Sequence, residues 1–151
     1  MHRSRAWGTN DEGSAALEFI TVGVILLVPL VYLVIALGAI QEQTLGAEAA
    51  ARHTARAIAT APDAPAATAE GEAVLAGIID EYGLDPEAVD VSLACTPAGV
   101  DCPSAGATLT VTVAARVHLP LVPPVFGLDR ATSIAVQAEA VQKVSRLWGI
   151  E

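Results

Sequence analysis

Aromatic residues are scarce in this chain of 151 residues, where Trp, Tyr and Phe together make up 4%. Aromatic side chains supply the largest apolar areas a core can bury, so any globular part has a modest core. Basic residues are scarce as well: eight Lys and Arg stand against 17 Asp and Glu, for a net charge of −9. A phosphate-binding surface needs clustered Lys and Arg, which argues against a nucleic-acid partner. Only Arg52 and Arg56 approach a cluster, and their i,i+4 spacing reads as a solvated helix face. The three histidines, His2, His53 and His118, fall in a leader, on a helix face and at a strand end, with no second His at metal-ligand spacing. Asp80-Glu81 and Asp85-x-Glu87 are adjacent acids around a helix end and read as solvated rather than as an acid–base pair. The sequence has neither a glycine-rich phosphate loop nor a nucleophile elbow. No enzyme chemistry is expected from it, and no cofactor or metal.

Apolar residues are abundant, at 53% with a mean hydropathy of +0.51, and the surplus sits in one block and in alanines. From Phe19 to Ile40 the chain carries no charge. As a helix rising ~1.5 Å per residue, that run is roughly 33 Å long and covers a hydrocarbon core of ~30 Å. Glu18 stands just before it. A carboxylate facing lipid costs on the order of 2.5–3.5 kcal/mol at mid-bilayer and less near an interface, so an acid here needs compensation. The first turns of a helix provide some, through unpaired N–H groups and the positive end of the dipole. The remainder calls for a partner.

Gly13-Ser14-Ala15-Ala16-Leu17-Glu18-Phe19, followed by an uninterrupted apolar helix, resembles the processing site of type IV pilin-like precursors. With the alanine-rich continuation and a small β region behind it, the chain most resembles the TadE-like proteins, minor pseudopilins of tight-adherence pilus systems. The resemblance implies that a membrane prepilin peptidase cuts between Gly13 and Ser14, leaving Glu18 as the fifth residue of the mature chain. It implies further that Glu18, with Phe19 beside it, serves subunit assembly by neutralising the amine of a neighbouring pilin or pseudopilin. Asp11 and Glu12 depart from the pattern, because many pilin leaders carry a basic residue there.

Residues 1–13 are polar and rich in turn formers, which reads as a leader peptide. Arg3 and Arg5 before the span are nearly balanced by Arg52 and Arg56 after it, so basic residues alone do not orient it. The pilin-like signature favours a cell-membrane protein with a cytoplasmic N-terminus and an extracytoplasmic C-terminal domain. Two alternatives stay open: an ordinary signal anchor with Glu18 facing water, and a secretory signal peptide cut near Ala36-Leu37-Gly38. Within the span, Pro29 predicts a kink or local unwinding near Ile25 to Pro29.

Beyond Ile40 the pattern becomes alanine-rich, with Glu, Gln and Arg and no proline before Pro62. These are strong helix formers, so one transmembrane and spine helix over 14–60 is expected, roughly 70 Å long. Its small side chains suit packing against other helices; a stalk that lifts a domain off the membrane is the plainer reading. Residues 61–68, with Pro62 and Pro65, are expected to be a linker.

An exported domain over 69–151 is expected to be α+β. From Ala69 to Tyr82, Val74, Leu75, Ile78, Ile79 and Tyr82 recur at helical spacing opposite Glu70, Glu72, Asp80 and Glu81, with Gly83 as the stop. Three period-two stretches follow: Val89 to Cys95, Leu109 to Leu119, and Thr132 to Lys143. The inward sets are Val89, Val91, Leu93 and Cys95 in the first, and Ile134, Val136, Ala138 and Ala140 in the third. Helix is an alternative for the third, given its Ala and Glu. Together they predict a three-stranded antiparallel sheet with the amphipathic helix, and the outer spine, across its apolar face.

Cys95 and Cys102 bracket a turn-rich loop and read as one disulfide in an exported domain, with metal binding as the alternative. The apolar, proline-rich stretch 119–128 must be buried against the spine, laid on a membrane or given to a partner. Similar stretches recur in TadE-like proteins. The expected function is therefore a structural pseudopilin of a pilus or secretion apparatus. Its rival is a single-pass anchored domain that binds an envelope component and never polymerises.

Overall fold

The computed structural model describes residues 12–120 and 133–149. The chain is α+β, in the order α1 (Glu12–Thr60), α2 (Ala64–Glu81), a short 3₁₀ turn (Pro86–Ala88), β1 (Val89–Thr96), β2 (Thr108–Val117) and β3 (Ile134–Lys143). It divides into two compact units, Met1–Ala36 and Leu37–Glu151. The leader up to Asp11 and the bulk of the proline-rich stretch, from Leu121 onward, lie outside the described residues.

Among the described residues, the first unit is helix alone. Its large apolar side chains are exposed, from Phe19 at 81% to Ile35 at 46%. The helix is long and apolar enough to cross a membrane. It continues through Pro29 without a break, so the expected unwinding at Ile25 to Pro29 does not occur. A proline removes one N–H donor, and the turns on either side hold the rest of the ladder.

In the second unit, a helical hairpin covers one face of the sheet. A Cβ on Gly46 would meet Tyr82 Cβ at 2.9 Å, and one on Gly71 would meet Ile58 Cγ1 at 2.9 Å. Residue 46 therefore faces 82 and residue 58 faces 71, so α1 and α2 run antiparallel. The two glycines permit that approach. Alanines line the α1 side: Ala47, Ala50, Ala51 and Ala55 are fully buried. Their short side chains let the helix share one core with Ala67 and Ile78 of α2 and with Leu109, Val111 and Val113 of β2.

The break between the helices is shorter than the expected 61–68 linker. Asp63 caps α2, its carboxylate accepting from the Ala66 N–H at 2.8 Å, and Pro65 sits within the first turn. A proline there costs nothing, because its missing N–H is one of the donors a helix start leaves unused. At the other end Gly83 takes φ +59°, the Leu84 N–H donates to Ile79 O at 2.9 Å, and the Gly83 N–H donates to Asp80 O at 3.4 Å. This paired closure needs a left-handed residue just past the cap, which glycine adopts without strain.

The sheet order is β1-β2-β3, antiparallel throughout. β2 alternates without a fault: Leu109, Val111, Val113, Ala115 and Val117 are buried, while Thr108, Thr110 and Thr112 on the other face are partly open. The third stretch is a strand, as its alternation predicted. Its Ala and Glu did not prevail toward helix, because pairing along the whole of β2 satisfies the inner side of its backbone. The two edge strands are less buried than expected. Leu93 is 45% and Ile134 39% exposed, although both were assigned inward. The helical layer covers the middle of the sheet and stops short of its margins.

Past β3 the chain closes over the helical corner. Val144 is buried, its N–H donating to Ala107 O at 2.9 Å, and the Gly149 N–H donates to Pro62 O at 2.9 Å.

Candidate functional site

Gly13 and Ser14 lie in the first turn of α1, which starts at Glu12. Glu18 and Phe19 follow in the second turn, both exposed. The helix thus begins earlier than the expected Ser14. In the uncut chain Glu18 sits beyond the four N–H groups that a helix start leaves unpaired, and the dipole has largely faded by then. The local compensation expected for this acid is weaker than its place in the sequence implied. Its neighbours are apolar and open: Leu17, Phe19 and Ile20 are each more than half exposed. Glu18 has no ion-pair partner among the described residues, where the one ion pair is Arg52 with Glu48 at 3.8 Å. That exposed i,i+4 pair contributes little. Arg52, Arg56 and His53 all lie on the open side of α1.

Thr21, one turn beyond Leu17, donates its hydroxyl to the Leu17 carbonyl at 2.7 Å. Such back-bonding satisfies the hydroxyl within the helix, and Glu18 is the one charged side chain between Ala15 and Ile40, in the candidate span.

Cys95, near the end of β1, is joined to Cys102 with Cα atoms 5.5 Å apart. The bond closes the loop over residues 96–101 and uses both thiols, so the alternative of a thiolate metal site falls away. In the chain-entropy account, closing a loop this short stabilises the fold by about 2–3 kcal/mol.

Of the acids weighed for acid–base chemistry, one has a structural duty. Asp85 accepts from the Glu87 N–H at 3.0 Å and caps the 3₁₀ turn, and Asp80 and Glu81 are exposed at the end of α2. The sequence did not reveal that β1–β2 pairing brings Asp85, Glu87 and Asp90 to the same open groove as Arg116 and His118. Spacing along the chain hides this meeting; the register, with Val89 opposite Ala115, creates it.

A second feature escaped the sequence. A cleft of about 360 Å³ opens between the hairpin and β1, with Ile58, Leu75, Val91, Leu93 and Pro103 in its walls. Thr54 also lines it; this residue is 3% exposed and its hydroxyl has no hydrogen-bond partner. The signal available beforehand was the inward assignment of Leu93, which assumed a cover the helices do not provide.

In comparisons with known proteins, no family model, no curated protein and no solved structure matches this chain.

Proposed function

We propose that this chain is a structural pseudopilin subunit of the TadE-like kind, cut between Gly13 and Ser14 and assembled through its N-terminal helix into a pilus or secretion filament. One observation carries the reading: Glu18 is exposed in the second turn of a helix whose neighbouring side chains are apolar and open, without an ion-pair partner among the described residues. A carboxylate so placed in lipid needs a cation, and cleavage after Gly13 creates one, the Ser14 amine, on every mature subunit. In a filament the amine of one subunit meets Glu18 of another. In this reading the chain's partners are the membrane, a prepilin peptidase and other pilin or pseudopilin subunits. The N-terminus is cytoplasmic and the domain extracytoplasmic. The disulfide supports that side for the domain, because such bonds persist in oxidising compartments.

The mass of the membrane-extracted protein tests the cut: an N-terminus at Ser14 is expected, and one at Met1 counts against the reading. Glu18→Ala is expected to leave membrane insertion intact and to reduce co-purification with other pilins. Unchanged assembly in that variant removes the role given to Glu18.

A further inference from the structure

β1 is an edge of the sheet, and among the described residues nothing pairs with its outer side. Proteins usually blunt such a row of free N–H and C=O groups with lysine, proline, a bulge or brevity. β1 has none of these. It runs eight residues, Val89–Thr96, matches β2 residue for residue, and carries Asp90 as its single charge. β3, at the opposite edge, carries both Glu139 and Lys143.

The face of β1 that turns toward the helices is also unfinished. Leu93 is 45% exposed while Val111, its partner on β2, is fully buried. Leu93 and Val91 form one wall of the 360 Å³ cleft, with Leu75 of α2 across from them. Thr54, in the same lining, differs from the other helical threonines. Thr21, Thr44, Thr60 and Thr68 each donate to the carbonyl four residues back, whereas the Thr54 hydroxyl is buried and unsatisfied. A buried hydroxyl left in that state is costly unless something else meets it.

Charge on this flank is mainly acidic, with Arg116 and His118 of β2's end meeting Asp85, Glu87 and Asp90 in one groove at the start of β1. From Ala57 to Ala115 the chain holds nine acids, the first Asp63 and the last Asp101, and no Lys, Arg or His. That stretch supplies α2, the 3₁₀ turn, β1 and the disulfide loop. Glu72 lines the cleft itself.

We propose that the β1 edge and its cleft receive an extended segment of a partner polypeptide, with alternating apolar side chains and Lys or Arg at its flanks, which adds to the sheet as a fourth strand. An extended chain sends every second side chain to one face, so its inward residues cover Leu93 and enter the cleft while its backbone satisfies the open edge of β1. The basic flanks answer Glu72 and Asp101. A second copy of this chain is the poorer occupant, because pairing β1 with β1 sets two acidic flanks together. The inference holds whether or not the chain builds filaments.

The test uses the full chain in detergent micelles and a labelled octapeptide, Lys-Val-Thr-Val-Thr-Val-Thr-Lys. Saturable binding by fluorescence anisotropy is expected, with slowed hydrogen exchange in β1 and not β3. Leu93→Asp should weaken binding about tenfold, as loss of a central apolar contact does. Leu93→Thr keeps the strand propensity and should weaken it less. Glu72→Lys should weaken binding about threefold and flatten its dependence on salt. The proposal is overturned by absence of saturable binding at millimolar peptide, by equal binding of a peptide with proline at alternate positions, or by protection of β3 in place of β1. Self-association of the peptide-free chain that Leu93→Asp abolishes would also overturn it, in favour of a second copy.

Discussion

The two units place their apolar residues in opposite ways. Between Leu17 and Ile35, α1 carries Leu, Ile, Val and Phe that are about half exposed or more, whereas from Ala47 to Ala59 the same helix carries mainly alanine, most of it fully or almost fully buried. One element thus shows its bulk outward in one part and tucks away nearly featureless side chains in the other. Large branched residues suit a liquid surrounding such as lipid, which conforms to any shape. Alanine suits a partner that is itself ordered, because short side chains let a second helix and a sheet approach. Burial alone would rank the first part as unfinished; it has the length and apolar character of a candidate membrane span.

Deleting bulk from each part should separate them most clearly. Leu109→Ala, at a fully buried site in β2, is expected to destabilise the domain by about 2–5 kcal/mol, the range for large-to-small changes in a core. Leu26→Ala, in the exposed part of α1, should leave domain melting unchanged. Thermal unfolding followed by circular dichroism in micelles reads both. An equal loss from Leu26→Ala would mean that the first part, too, is packed on protein.

Adding a methyl group sharpens the contrast at smaller scale. Gly71→Ala puts a Cβ 2.9 Å from Ile58 Cγ1 and should cost about 1–3 kcal/mol through overpacking, outweighing alanine's better helix propensity. Gly23→Ala has nothing within 4 Å to meet and should be neutral in the domain melt. If Gly71→Ala stabilised the domain instead, the close approach of α1 and α2 would not be limiting there.

The smallest effect expected is at the corner between the helices. Asp63→Ala removes the carboxylate that accepts from the Ala66 N–H, and should lower stability by about 1 kcal/mol. Asp63→Asn keeps an acceptor and should recover most of that loss. Equivalent losses in both variants would point to charge rather than capping.

Much of this was legible in advance because it depends on short-range order. The candidate span is readable from Phe19 to Ile40 without any neighbour, since a lipid core asks only for length and apolar character. The three strands are readable from period two, and β2, flanked on both sides, matched its pattern up to Val117, while Leu119, assigned inward with it, lies past the strand's end and is half-buried. The disulfide followed from two cysteines around a turn. Glu18 stood out as a charge beside a long apolar run. The start of α2 was misread because Pro65 signals a break within a helix and a beginning in its first turn, and only the position of the cap tells these apart.

Pattern settles which way a side chain points, because backbone geometry repeats every two residues in a strand and every 3.6 residues in a helix. It does not settle what lies opposite. The sequence alone therefore determined the apolar helix, the strands and the acid at position 18. Tertiary structure decided that Gly46 and Gly71 bring the hairpin together, that the helical layer falls short of Leu93, and that Thr54 is buried without a partner. Those outcomes depend on the width of one layer against another, a property of whole elements in contact that no window of neighbouring residues contains.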